Sequence, residues 1–297
     1  MATAVREVGE ILSVAPAGDY TQFTVVAPGI AAGFQPGHFV AVAVGAEPGD
    51  PTSSMLLRRS FALYGATPTS DFAGTVTFVV ADAGPGTHWL TRRVAGERLD
   101  LIGPLGTPFP LPAEPVPAVL VGGGYGTAPL VPLARMLRER GAEVEVVVGA
   151  STASRLFGEL AVKRIVGTVT VTTDDGSAGE RARVTDVLSE AIDRVGAQVV
   201  YACGPMPMLR AVGEVARRHA VTAQVAVEEA MACGIGVCMT CVLPVRGDDG
   251  RSRFVRACTE GPVFDAARVR FDDVGTLPPD LVGADAMTGR RTATRRS

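Results

Sequence analysis

Four of the five cysteines in this 297-residue chain fall into one arrangement. Cys233-Gly-Ile-Gly-Val-Cys238-Met-Thr-Cys241 is followed, after sixteen residues, by Cys258. The C-x4-C-x2-C run with a distant fourth cysteine is a spacing that holds a [2Fe–2S] cluster. Three thiolates on one tight loop reach one side of the cluster and the fourth arrives from a neighbouring segment. Gly234 and Gly236 let the loop take backbone angles that other residues avoid, and bring amide N–H groups near the sulfurs. Two other readings use the same residues. Structural zinc also takes four cysteines, but its ligands usually form two separate C-x2-C-like knuckles. Disulfides belong to an oxidising compartment, and no apolar signal core follows Met1.

The first third reads as short strands over residues 5–15, 20–28, 38–45, 58–66, 75–82 and 98–103, rich in Val, Phe, Thr and Leu and separated by Gly, Pro and Asp turns. Six strands at this spacing predict a small antiparallel barrel, with one short helix over Thr87–Val94. Arg58-Arg59-Ser60-Phe61-Ala62 sets guanidinium groups beside an aromatic. An arginine fork suits a pyrophosphate, and an aromatic can cover a planar ring. The bland alternative is a barrel strand with an exposed arginine pair. Gly84-Pro85-Gly86-Thr87 opens the short helix, where free amides bind phosphate, although Gly-Pro-Gly is also an ordinary turn.

At about residue 117 the pattern changes. Ala118-Val-Leu-Val-Gly is a continuous apolar run, as in a buried parallel strand. Helices over Thr127–Arg140, Ser154–Val166, Val184–Val195 and Met206–His219 alternate with strands Val144–Gly149, Val169–Thr173, Gln198–Ala202 and Thr222–Val227. That alternation predicts an α/β, doubly wound parallel sheet whose ligand lies beyond the carboxyl ends of the strands. Three stretches lie there. Gly122, Gly123, Gly124, Gly126 and Thr127 form a loop that allows a pyrophosphate close to the backbone, without the G-x-G-x-x-G spacing. Asp174 follows the third strand, where it can bind hydroxyls. Cys203, Gly204 and Pro205 end the fourth, and Cys203 alone could equally be a small buried residue. Arg155 follows the second strand, either meeting a 2′-phosphate or simply solvated.

Charged residues are 20% and the net charge is −3, so no nucleic-acid footprint is expected. No apolar run reaches 18 residues, so no membrane span is expected, and the location implied is the cytoplasm.

Together these residues resemble the ferredoxin–NADP reductase superfamily, and within it the electron-transfer subunits of class 1B dihydroorotate dehydrogenases. Glu228-Glu-Ala-Met-Ala-Cys-Gly-Ile-Gly-Val-Cys-Met-Thr-Cys and Arg256-Ala-Cys258-Thr-Glu-Gly-Pro-Val-Phe264 carry the resemblance, which runs from about residue 5 to about 270. It implies a β-barrel FAD domain over 1–112, an NAD domain over 113–227, a small [2Fe–2S] domain over 228–272 and a disordered tail over 273–297. FAD is expected at Arg59, Ser60, Phe61 and Ala62, with backbone of Val79, Val80, Ala81, Gly86 and Thr87. NAD, with NADP as the alternative, is expected over Gly122–Thr127 with Cys203, Gly204 and Pro205 near its ring. The cluster is expected at Cys233, Cys238, Cys241 and Cys258. The implied partner is an FMN-containing dihydroorotate dehydrogenase subunit in a heterotetramer. A hydrogenase, ferredoxin or oxygenase partner is the alternative, and a colourless zinc-binding assembly protein is a third reading. Ser60 and Ala62 depart from the family's R-P-x-S, which removes a hydroxyl near the flavin. His38 stands where the family often has glutamine.

Overall fold

The computed structural model describes residues 3–45, 55–70 and 73–284. All six expected barrel strands are present: β1 (Val5–Ala17), β2 (Tyr20–Val26), β3 (Phe39–Val42), β4 (Arg59–Ser70), β5 (Ala73–Ala81) and β6 (Arg98–Leu105). They close in the order β1-β2-β5-β4-β3-β6, every pairing antiparallel. Closure buries one face of each strand around Phe23, Val40, Val42, Leu63, Phe78 and Leu101. Among the described residues it pairs every strand on both sides over most of its length, which limits the open edge that could template a wrong pairing. Two short helices plug the barrel's flanks, α1 (Pro28–Ala32) and α2 (Pro85–Thr91), each with proline in its first turn. Helix α2 starts and ends earlier than the expected 87–94, because Pro85 is tolerated at a helix start, where its missing N–H has no intrahelical partner.

The second unit holds β7 (Ala118–Gly123), α3 (Leu130–Glu139), β8 (Val144–Ala150), α4 (Glu159–Val166), β9 (Val169–Thr173), β10 (Glu180–Arg181), α5 (Val184–Val195), β11 (Val199–Cys203), α6 (Met206–Arg218) and β12 (Thr222–Ala226). The helices cover both faces. Val119, Val121, Val147, Val200 and Ala202 pack on the side of α5 and α6, whereas Leu120, Val146, Val148 and Tyr201 pack on the side of α3 and α4. This strict alternation explains the continuous apolar runs, since both faces are buried. Two expected helix starts are instead single 3-10 turns, Gly124–Thr127 and Ala153–Arg155. Glycine at 126 and 158 and proline at 129 interrupt what looked like longer helices.

The cluster segment adds a hairpin, β13 (Val242–Arg246) with β14 (Ser252–Arg256), and one further strand, β15 (Val263–Asp265). β15 pairs antiparallel with β12 and completes a seven-stranded sheet in the order β10-β9-β8-β7-β11-β12-β15. The segment beginning at 228 is therefore woven into the nucleotide sheet. The stretch from 273, expected to begin a disordered tail, packs as far as 284. Leu281 and Ala284 are buried, and Arg270 holds Asp273 and Asp280. The basic ending after 284 lies outside the described residues.

Candidate electron-transfer site

The register of β3 against β4 sorts the barrel residues. Phe39 faces Ala62 and Ala41 faces Ser60, so these four share one face, while Val40 and Phe61 share the other. Ser60 and Ala62 line a cleft of about 740 Å3 between barrel and sheet. Phe61 does not line it. Its ring stacks on Phe78 at 5.4 Å, which stacks in turn on Phe23, so the aromatic expected to cover a planar ring belongs to the barrel core. Arg58 is also committed elsewhere. It donates to the Asp100 carboxylate and carbonyl, both at 2.9 Å, and Asp100 holds Arg6 as well.

Arg59 remains. Its guanidinium lies against Gly86, where a Cβ would come within 2.7 Å of Nε. The arginine fork and the first turn of α2, read separately from the sequence, are thus brought together. The Thr87 hydroxyl accepts from the N–H groups of Ala83 and Gly84 and donates to the Gly84 carbonyl, which fixes that turn. Nearby, β4 changes partner: Arg59–Ala62 pair with β3, whereas pairing with β5 begins at Leu63–Phe78. Among the described residues, the β4-facing edge of Val79, Val80 and Ala81 has no strand partner. The barrel opens there, beside Arg59.

Across the cleft, the β7 loop meets the end of the parallel neighbour β11. A Cβ on Gly126 would lie 2.5 Å from the Cys203 carbonyl oxygen, and one on Gly123 2.7 Å from the Met208 sulfur. At Gly126, where the clash is with backbone, only glycine permits this crossing. Gly123, Gly124, Gly126, Asp174, Cys203, Gly204 and Pro205 all line the cleft, at the switch point of strand order between β8 and β11. Gly122 and Thr127 lie beneath the loop. Thr127 is 0% and Thr172 1% exposed, and neither hydroxyl has a hydrogen-bond partner among the described residues. Buried polar atoms are normally paired, so two orphans under this cleft fit a polar ligand.

Tyr20, Tyr125, Arg183, Glu228 and Glu229 also line the cleft, and sequence reasoning missed them. Tyr125 donates a 2.5 Å hydrogen bond to Glu228. Burial, reinforced by that carboxylate, pushes the Tyr125 phenol well above its usual range and the Cys203 thiol up to about 12. The raised pKa favours the neutral thiol at Cys203 over the thiolate.

The cluster loop is shaped by positive φ at Gly234, Gly236 and Met239. The Cys233 sulfur accepts from the N–H groups of Ile235, Val237 and Cys238 at 3.4–3.5 Å, and Thr240 donates to the Cys238 sulfur at 3.1 Å. The Ala257 N–H donates to the Cys241 carbonyl, which ties the fourth cysteine's segment to the third. Among the described residues no three Cys, His, Asp or Glu side chains converge as ligands of a single ion. Cys258 follows the end of β14, so the fourth sulfur comes from a separate segment, as the [2Fe–2S] spacing requires. Gly234 packs on Phe39, Ala41 and Leu105, with its Cβ position 3.4–3.5 Å from them. The cysteine loop therefore touches the same barrel face that presents Ser60 and Ala62 to the cleft.

Residues 228–270 match the iron–sulfur cluster binding domain of dihydroorotate dehydrogenase B. The chain is 40% identical to the dihydroorotate dehydrogenase B (NAD(+)) electron transfer subunit of Geobacillus thermodenitrificans over 79% of its own length and 86% of the relative's. The chain belongs to this family. The subunit of the same name from Desulforamulus reducens is 32% identical over 88% of this chain and 96% of the relative. Among solved structures, a chain of the NADH-dependent reduced ferredoxin–NADP oxidoreductase is 30% identical. It covers 90% of this chain and 91% of its own length, with a TM-score of 0.76. The expected barrel and parallel-sheet architecture is shared with that solved chain over nearly its whole length, and the iron–sulfur segment is the part that matches the family model.

Proposed function

We propose that this chain passes electrons between a nicotinamide dinucleotide and a catalytic partner subunit, with FAD, NAD and a [2Fe–2S] cluster as its cofactors. The observation that carries the reading is the shared face of β3 and β4, with Ser60 and Ala62 on the nucleotide cleft and Phe39 and Ala41 against the cysteine loop. Flavin, when bound, exchanges two electrons as a hydride with nicotinamide and one at a time with a cluster, so it belongs between the two. Arg59 and the turn at Gly86 and Thr87 would hold its pyrophosphate, and the free edge of Val79–Ala81 its ring. The loop Gly122–Thr127 would take the dinucleotide phosphates, and Cys203–Pro205 would wall the nicotinamide. Cys233, Cys238, Cys241 and Cys258 would hold the cluster. Short Ser60 and Ala62 side chains leave room for a planar ring but offer only one hydroxyl to it.

The partner in this reading is an FMN-containing dihydroorotate dehydrogenase subunit, in a heterotetramer with two copies of each chain. Dihydroorotate would be oxidised to orotate and NAD+ reduced, in the cytoplasm. No helix among the described residues is long and apolar enough to cross a membrane. The likeness to the NADH-dependent ferredoxin–NADP oxidoreductase over nearly the whole chain favours a second reading, with a ferredoxin-linked partner. Anaerobic purification of the tagged chain from its own organism, with a visible spectrum and identification of what co-purifies, separates the two. Flavin and iron–sulfur absorption with an FMN dehydrogenase supports the first reading. The same spectrum with a different redox protein supports the second, and a colourless, zinc-containing preparation refutes both.

A further inference from the structure

The far end of the cleft is closed by a contact between domains. The 3-10 turn Ala153–Arg155, which follows β8, is gripped by the turn joining β1 to β2. The Asp19 N–H donates to the Ser154 carbonyl at 2.8 Å, and the Ser154 hydroxyl donates to Asp19 Oδ2 at 2.9 Å. The Tyr20 hydroxyl donates to the Arg155 carbonyl at 2.9 Å, and Asp19 Oδ2 lies 3.8 Å from Arg155 Nε. Gly18 has φ +61°, and a Cβ there would come 2.3 Å from the Ser154 carbonyl oxygen. The barrel turn is thus shaped to this loop. Behind it, Ser151, Thr172 with its unpartnered buried hydroxyl, and Asp174 line the same end of the cleft. Hydroxyl and carboxylate groups at the ends of β8 and β9 suit a ribose.

We propose that Asp19, a barrel residue, determines that the cleft selects NAD(H) over NADP(H), a proposal that rests on reading the cleft as the dinucleotide site. The two nucleotides differ by a 2′-phosphate carrying about two negative charges. An arginine beside the ribose accommodates that phosphate, and an acid there favours the free hydroxyl. Arg155 lines the cleft but shares its charge with Asp19. Asp19 does not itself line the cleft but acts through Arg155: a 2′-phosphate drawn to that guanidinium would have to compete with the Asp19 carboxylate, at the end of the cleft that Asp174 also lines. A 2′-hydroxyl meets no such competition and can donate to a carboxylate. Arg155 and Arg183 line the cleft with Asp174, and Asp19 offsets Arg155 from outside it, so the acids weaken the attraction of this end for an anion.

The test titrates the full chain, FAD bound, with NAD+, NADP+, ADP-ribose and 2′-phospho-ADP-ribose by calorimetry. The last two cannot exchange a hydride, so the readout is binding alone. Wild type should favour the unphosphorylated member of each pair. Asp19→Asn keeps an acceptor for Ser154 and removes the charge. It should shift the ratio toward the 2′-phosphorylated ligands by about fivefold, the size of an exposed charge pair, and the shift should shrink at high salt. Adding Arg155→Ala should abolish the gain. An unchanged ratio in Asp19→Asn, a gain that survives without Arg155, or a wild type that prefers NADP+ overturns the proposal. A wild type that binds none of the four ligands overturns the reading of the cleft itself, and the proposal with it.

Discussion

The Tyr125 hydroxyl donates a 2.5 Å hydrogen bond to the Glu228 carboxylate, joining the glycine loop after β7 to the first residue of the cluster segment. The two residues are 103 positions apart and line one cleft. A hydrogen bond to a charged group contributes about 1.5–3 kcal/mol when well shielded, and this one is partly open to solvent. Tyr125→Phe should weaken NADH binding about fivefold while FAD and iron contents stay at wild-type values. Titration of nucleotide against the flavin spectrum measures this. Unchanged NADH affinity would mean that the bond plays no part in holding the loop.

Arg59 and Gly86 supply a second test. A methyl group at 86 meets only the end of a flexible side chain, so the guanidinium can swing away at little cost to folding. Gly86→Ala should therefore change stability by less than about 1 kcal/mol yet lower FAD occupancy sharply, because the displaced fork no longer faces a pyrophosphate. The flavin-to-protein ratio after gel filtration reports it. Full occupancy in the variant would show that the flavin phosphates lie elsewhere.

His38 is 4% exposed, and its Nδ1 accepts from the Gln35 N–H at 3.0 Å. Burial pushes its pKa down to about 4. The native ring is neutral while the unfolded one titrates near 6.5, so the unfolded chain binds the extra proton as pH falls. The contribution to stability is intact above pH 6.5 and is lost progressively down to about 4, by up to about 3 kcal/mol. His38→Gln should flatten the acid side of the stability profile in that window. Guanidinium midpoints at pH 7 and pH 4.5 for both chains measure it, and parallel profiles would refute the assignment to His38.

What the sequence disclosed was local. The C-x4-C-x2-C loop lies within nine consecutive residues, and the six barrel strands announce themselves by composition and turns. What depended on register stayed hidden. Phe61 and its neighbours Ser60 and Ala62 read as one motif, but opposite parity sends the ring into the core and the small residues to the cleft. Strand β15 has three residues, too few for any periodicity, and so its place on the nucleotide sheet was invisible. Arg59 and Gly86 were each legible as phosphate-binding features, but their contact is tertiary. The pairs Tyr125–Glu228 and Asp19–Ser154 join positions more than a hundred residues apart, beyond any local pattern.

The unequal burial of the four cysteines separates assembly of the cluster from folding of the chain. Cys238 is exposed, whereas Cys241 and Cys258 are each 1% exposed within the core that joins β13 to the nucleotide sheet. Cys238→Ser should abolish the iron–sulfur spectrum while FAD stays bound and NADH still reduces a flavin-linked dye, because no part of the nucleotide cleft includes this residue. Cys241→Ser should lose the cluster too, but it also places a hydroxyl in an apolar core. Burying that hydroxyl unpaired costs about 1–3 kcal/mol, visible as a lower unfolding midpoint that Cys238→Ser does not show. Iron content, dye reduction and denaturation of the two variants separate these effects. If Cys238→Ser kept its FAD but lost reduction by NADH, the flavin and nucleotide sites would depend on the cluster loop, and the division of the chain into linked but separable stations would be wrong.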